Sequence, residues 1–123
     1  MLSELEMSLI RGVRAIFDDG WDSFICIAMD KVVEAGLDGW SEEEARAASN
    51  VLQRKIERAL NGNYTFNGFF YQEAGLRVKD GRLRWAEIEV KRPIVTIEAD
   101  LWENYVLQAR MAWLDKIIET GKL

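Results

Sequence analysis

The stretch SEEEARAASNVLQRKIERAL, residues 41–60, predicts local structure more clearly than any other part of the chain. Ser41 and Glu44 have the spacing of a capping box, in which each side chain bonds the other residue's backbone N–H at the start of a helix. The apolar residues recur every three or four positions, as on one buried helix face: Ala45, Ala48, Leu52, Ile56, Ala59 and Leu60. We therefore predict a helix that begins after Ser41 and ends at Asn61-Gly62.

Two further helices are predicted before this one. Ser3 and Glu6 form another capping box, followed by apolar residues at helical spacing: Leu5, Leu9, Val13, Ile16 and Phe17. The segment WDSFICIAMDKVVEAG, residues 21–36, predicts a helix capped by Asp22 and ended by Gly36, with a strand over FICIAM as the alternative. So many apolar residues predict a central helix covered by the others, and we expect Cys26 to be buried there, with a raised thiol pKa.

Beyond residue 62, the sequence LRVKDGRLRW, residues 76–85, predicts a β-hairpin. Asp80-Gly81 suits a two-residue turn, which pairs Arg77 with Arg84 and Lys79 with Arg82 on one face of the ribbon. Like charges directly opposite each other destabilise paired strands by roughly 0.2–1 kcal/mol. We interpret this basic face as an anion-binding surface. The alternative is a solvated face that discourages edge-to-edge aggregation.

The segment that follows the hairpin predicts the rest of a small sheet and a last helix. Apolar positions change from odd to even near Ala86, which indicates a β-bulge, and residues 94–98 follow Pro93 as a third strand. Asp100 is the predicted cap of a long helix that ends near Thr120. Its apolar stripe predicts a core face, with a helix–helix dimer seam as the alternative.

These elements predict a single domain over residues 1–123 with an α+β fold. It contains three N-terminal helices, a small antiparallel β-meander whose hairpin turns at Asp80-Gly81, and a long C-terminal helix. We see no internal repeat or linker that would divide the chain.

The composition excludes several kinds of chemistry. The chain has no His and one Cys among 123 residues, so it lacks the residues for Ser-His or Cys-His catalysis and for an internal disulfide. It also has no glycine-rich phosphate-binding motif. We predict no catalytic residue, no metal and no cofactor, and we expect a cytoplasmic protein. The first residues carry two Glu before the first Arg, unlike a secretory signal, and no apolar run approaches the ~20 residues of a membrane span.

Charge is distributed unevenly within a net charge of -5. Residues 1–50 hold eleven Asp or Glu and four Lys or Arg, whereas residues 51–123 hold ten and twelve. Glu42 and Glu43 are candidates for an acidic docking patch, although acids in a first helical turn also stabilise the helix itself.

Two other functions are alternatives. Glu89-Val90-Lys91 resembles the E-x-K element of the divalent-metal nuclease superfamily, and that resemblance implies two acids that hold Mg²⁺ and a Lys that assists hydrolysis. The helix order with a basic hairpin is similar to a winged-helix DNA-binding protein, but three Glu would then begin the recognition helix.

The residues therefore favour a non-catalytic protein-binding module. We expect the basic hairpin face, Arg77, Lys79, Arg82 and Arg84, to bind an acidic surface on a partner or on a second copy. Glu42 and Glu43 form the second predicted surface. Small inhibitors and accessory proteins of phages and mobile elements have this general composition, which is an analogy of composition alone.

Overall fold

The computed structural model describes residues 1–19, 25–59, 76–79, 82–85 and 99–123, with the backbone alone over 76–79, 82–85 and 99–106. Four helices are present in these ranges: α1 (Glu4–Asp18), α2 (Ile25–Ala35), α3 (Glu42–Ala59) and α4 (Ala99–Thr120). Two strands, β1 (Leu76–Lys79) and β2 (Arg82–Trp85), form an antiparallel hairpin between α3 and α4.

The prediction of an α+β fold with a β-meander is wrong, because the described residues are mostly helical. The helices contain 15, 11, 18 and 22 residues, against four in each strand. Every hydrophobic residue of the described core lies on a helix. Turn and alternation signals specify a local ribbon, but they do not show that the ribbon extends into a packed sheet. The predicted bulge and third strand lie outside the described residues.

The two N-terminal capping boxes are confirmed. The N–H of Glu6 donates to Ser3 Oγ at 3.1 Å, and the N–H of Ser3 donates to Glu6 Oε1 at 3.1 Å. Ser41 and Glu44 make the same two bonds, each at 3.1 Å. Each capping box thus gives hydrogen-bond partners to two backbone N–H groups that the start of a helix would otherwise leave without them.

Two predicted helix ends are also confirmed. Gly36 has φ 91° and its N–H donates to the carbonyl oxygens of Val32 and Val33, which closes α2. Gly121 has φ 70° and its N–H donates to Ile117 O at 2.7 Å. This left-handed conformation suits glycine, which has no Cβ. The start of α4 lies a residue or two before the predicted one, because the helix already includes Ala99 and the predicted cap residue Asp100.

The central helix is α1, not α2 as we predicted. It packs against α2, α3 and α4 through a buried face formed by Leu9, Ile10, Val13 and Phe17. One face of α2 is buried, but Ile27 is 43% exposed and Cys26 is exposed. The expectation of a buried Cys26 is therefore wrong. A helix with many apolar residues can still place some of them on its outer face, because burial follows spacing around the axis rather than total hydrophobicity.

A close approach of α1 and α2 occurs at Gly12. A Cβ atom built on this glycine would lie 2.7 Å from Cγ1 and 2.8 Å from Cγ2 of Val32. Real carbon atoms do not approach so closely without a shift, so the absence of a side chain on Gly12 lets the two helices pack.

Two ion pairs join α1 to distant parts of the chain. Lys55 Nζ on α3 donates to both carboxylate oxygens of Glu6, at 3.1 and 2.8 Å. Burial alone would raise the pKa of Glu6, but the hydrogen bonds from Lys55 and Ser3 and the Lys55 charge outweigh it and hold that pKa below its usual value. Arg14 Nε donates to Asp115 Oδ1 on α4 at 2.8 Å, and this bond raises the pKa of Arg14.

Helices α1 and α4 run antiparallel. Arg14 meets Asp115, while the N–H of Leu2 donates to Gly121 O at 2.9 Å. The start of α1 therefore lies beside the end of α4. None of the helices in the described ranges is long and apolar enough to cross a membrane.

Candidate functional site

The hairpin backbone sets the predicted basic residues opposite one another. The Cα partners are Arg77 with Arg84 and Lys79 with Arg82, and the other two pairs are Leu76 with Trp85 and Val78 with Leu83. This is the register that the alternating sequence predicts around Asp80-Gly81. Because positions alternate between the two faces of a ribbon, the four basic positions share one face.

The predicted acidic residues belong to a different element, the first turn of α3. Glu44 is accounted for by the capping box, and a carboxylate oxygen of Glu42 lies 3.4 Å from a guanidinium nitrogen of Arg46 one turn later. All three glutamates are exposed. The Glu43 side chain makes no hydrogen bond or ion pair within the described part of the chain. Of the two predicted acidic candidates, both are exposed, and only Glu42 is paired with another described side chain.

The sequence interpretation missed a surface on the outer side of α3. At 100° per residue, the side opposite the buried Leu52 and Ile56 carries six exposed residues, which we call the α3 outer stripe: Glu43, Ala47, Asn50, Val51, Arg54 and Arg58. Val51 is 41% exposed, one of few large apolar side chains that are. A shallow surface groove of about 480 Å³ is lined by the stripe residues Val51, Arg54 and Arg58 together with Glu57. The helical spacing that predicts the buried face of α3 also indicates which residues lie opposite it.

A buried arginine on α4 was also missed. Arg110 is 2% exposed and shares the inner face of the helix with Leu114 and Ile117. It interacts with other groups of the chain, as a buried guanidinium must to offset its lost hydration. Its spacing of four and seven residues from Leu114 and Ile117 is the sequence signal that places Arg110 on the inner face of α4. A packing role for Arg110 follows from this position.

A second groove lies where the two ends of the described chain meet. It has a volume of about 440 Å³, and its lining residues are Met1, Leu2, Lys55, Arg58, Lys122 and Leu123. Lys55 already bonds Glu6. Arg58 and Lys122 also line this groove.

The E-x-K residues Glu89, Val90 and Lys91 lie outside the described residues, as does Glu87. Among the residues that the structure does describe, no three His, Cys, Asp or Glu side chains are close enough together to hold a metal ion.

Comparison of this chain with protein-family models, with curated proteins and with solved structures returns no match. The surfaces described above are therefore the basis for a function.

Proposed function

We propose that this protein is a non-catalytic protein-binding module that presents the basic face of the β1–β2 hairpin to an acidic surface of another protein. The observation that supports this proposal is the hairpin register, which makes Arg77 the partner of Arg84 and Lys79 the partner of Arg82. Two like-charge pairs on one ribbon work against the hairpin. An anionic surface placed over them would relieve that repulsion and would also steer association.

A protein partner is favoured over nucleic acid by the charge at the start of α3. Glu42, Glu43 and Glu44 are all exposed there, and this is the helix end that a winged-helix protein would turn toward phosphates. The net charge of -5 and the isoelectric point of about 4.8 are also unlike those of a nucleic-acid-binding domain.

The biological setting we propose is that of a small inhibitor or accessory protein in the cytoplasm. A single cysteine, which allows no internal disulfide, supports that location. The acidic N-terminal half, with Glu43 exposed on α3, provides a second surface of opposite charge. In such a module, affinity for the partner comes from complementary shape and charge at the two surfaces.

The proposal predicts that reversing one cross-strand pair abolishes binding without unfolding the chain. In the double variant Arg77→Glu/Arg84→Glu, the new carboxylates lie diagonal to Lys79 and Arg82, so the hairpin exchanges one like-charge pair for another. We expect unchanged far-UV circular dichroism. Affinity for poly-L-glutamate, used as a simple acidic probe, should fall at least about tenfold at low salt, as two attractive contacts become repulsive.

A matched control is Arg11→Glu/Lys116→Glu, which changes net charge equally at two exposed positions on α1 and α4. It should bind the probe nearly as well as the natural chain. Equal binding by the hairpin variant would contradict the proposal. Tighter binding to a short DNA duplex than to poly-L-glutamate, with affinity falling steeply as salt rises, would instead assign the hairpin to nucleic acid.

A further inference from the structure

The α3 outer stripe has a charge pattern that is complementary to itself when it is reversed. Glu43 lies at its N-terminal end and Arg58 at its C-terminal end, and both are exposed. The midpoint between them falls between Asn50 and Val51. At 1.5 Å per residue, each charge is about 11 Å from that midpoint.

We propose that a second copy of this chain docks on the α3 outer stripe, antiparallel, about a two-fold axis between Asn50 and Val51. In this arrangement Glu43 of each copy faces Arg58 of the other, so the same ion pair forms twice by symmetry. A parallel arrangement would place Glu43 against Glu43 and Arg58 against Arg58. Charge alone therefore selects the antiparallel pair.

The shape of the stripe fits the same arrangement. Ala47 lies opposite Arg54 of the second copy, and its single methyl group leaves room for the longer side chain. Arg54 of the second copy also lies within one helical turn of Glu43 of the first copy, so this carboxylate has two arginines near it. Val51, exposed at 41%, lies next to the axis opposite Asn50, so association removes this apolar side chain from water.

The groove beside the stripe supplies the remaining surface. It is lined by Val51, Arg54, Glu57 and Arg58 and runs along the C-terminal half of α3, where the N-terminal turn of the second copy would lie. Glu43 of that copy enters at Arg58. The interface is one helix on one helix, about 22 Å long, which belongs among small, transient interfaces. Dimerisation should therefore be weak and depend on concentration and salt.

This inference does not rest on the proposed hairpin function, because the hairpin and the α3 outer stripe share no residue; the stripe shares Glu43 with the second, acidic surface. Sedimentation velocity over about a hundredfold range of protein concentration tests it. The average mass should rise from the 14.2 kDa of one chain toward twice that value. Glu43→Arg and Arg58→Glu, made separately, each place like charges opposite one another twice and should weaken dimerisation about tenfold or more.

The combined variant Glu43→Arg/Arg58→Glu restores both pairs in the antiparallel arrangement only, so it should recover most of the dimer. Because these changes also oppose the helix dipole, circular dichroism must show that α3 remains folded. Val51→Glu gives a test that leaves the helix ends unchanged. It should abolish the dimer, whereas Ile27→Glu, at a residue of similar exposure on α2, should leave it intact.

A chain that stays monomeric at every concentration overturns the inference. So does a combined variant that is folded but no better than either single one. Loss of poly-L-glutamate binding in the hairpin variant with the dimer unchanged would show the two surfaces to be independent.

Discussion

Glu6 is a carboxylate that is buried and paired, unlike the other glutamates whose side chains the structure describes. It is 7% exposed, and Lys55 Nζ lies within hydrogen-bonding distance of both its oxygens. It also accepts the N–H of Ser3. The sequence predicts the Ser3 bond, because a capping box is local. It does not predict the Lys55 bond, because that contact depends on how α1 and α3 pack.

The pair makes stability depend on acid pH. The pKa of Glu6 lies below its usual value of 4.5 in the folded chain. Its ionised form therefore stabilises the fold fully above about pH 4.5, and this contribution is lost as the pH falls through the lower folded-state pKa. In Glu6→Gln the free energy of unfolding at pH 7 should drop by about 1 kcal/mol, and the difference from the natural chain should shrink toward pH 3.

Chemical denaturation at a series of pH values measures this effect. Glu34→Gln, which removes an exposed carboxylate on α2, serves as the control and should follow the natural pH profile. If Glu6→Gln and the natural chain lost stability in parallel below pH 4.5, the Lys55 bond would not stabilise the folded state.

At the scale of the element, the contact between α1 and α2 depends on an absent side chain. Alanine favours a helix over glycine by about 1 kcal/mol, so Gly12→Ala would stabilise an isolated α1. In the folded chain its Cβ would meet Val32 at 2.7 Å, and the branched valine has little freedom on a helix. Overpacking of this kind costs about 1–3 kcal/mol. We expect a net loss of stability, measured by thermal unfolding.

A second substitution separates the two contributions. Val32→Ala should be destabilising alone, because it opens a cavity, but less so in the presence of Gly12→Ala, whose methyl group partly fills the space. Additive losses in the double variant would mean that the helices do not touch at this point.

Four helix boundaries were predictable because their signals are local, whereas the predicted cap at Asp100 lies inside α4. The two helix starts depend on serine side chains that accept a backbone N–H within one turn, and two helix ends depend on glycines with positive φ. All four residues act as predicted: Ser3, Ser41, Gly36 and Gly121. The hairpin register was predictable for the same reason. Which face of α2 is buried was not, because Ile27 and Val32 are equally apolar and only their position around the axis distinguishes them.

At the scale of the whole molecule, α1 is covered by three other helices. Leu9, Ile10 and Val13 have no exposed surface, so breaking the hydrogen bonds of their turns requires the core to open. Native-state hydrogen exchange should therefore find the slowest amides in α1, with opening free energies equal to that of global unfolding from denaturant melts. Amides in the last turn of α3, near the exposed Arg58 and Ala59, should exchange sooner. If the amides of α2 exchanged more slowly than those of α1, α1 would not be the central helix of the core.

The fold class is the level at which the sequence was least informative. Val78 and Leu83 alternate as in a sheet, yet the hairpin is four residues long on each side and the described core is built by helices. The sequence pattern predicts whether each segment forms a helix or a strand. The arrangement of these elements in layers depends instead on which apolar faces pack against each other. The candidate surfaces divide in the same way. The basic hairpin follows from its turn, but the outer stripe of α3 is recognised only once the inner side is known.

The antiparallel contact of α1 with α4, fixed at Leu2–Gly121 and Arg14–Asp115, also bears on how the protein is made. During synthesis α1 leaves the ribosome before α4, and the helix that completes its cover is translated about a hundred residues later, which takes several seconds at ordinary elongation rates. Until then part of its apolar face is open to chaperones and to other nascent chains. Helix α1 is thus synthesised well before the contact that completes its enclosure can form.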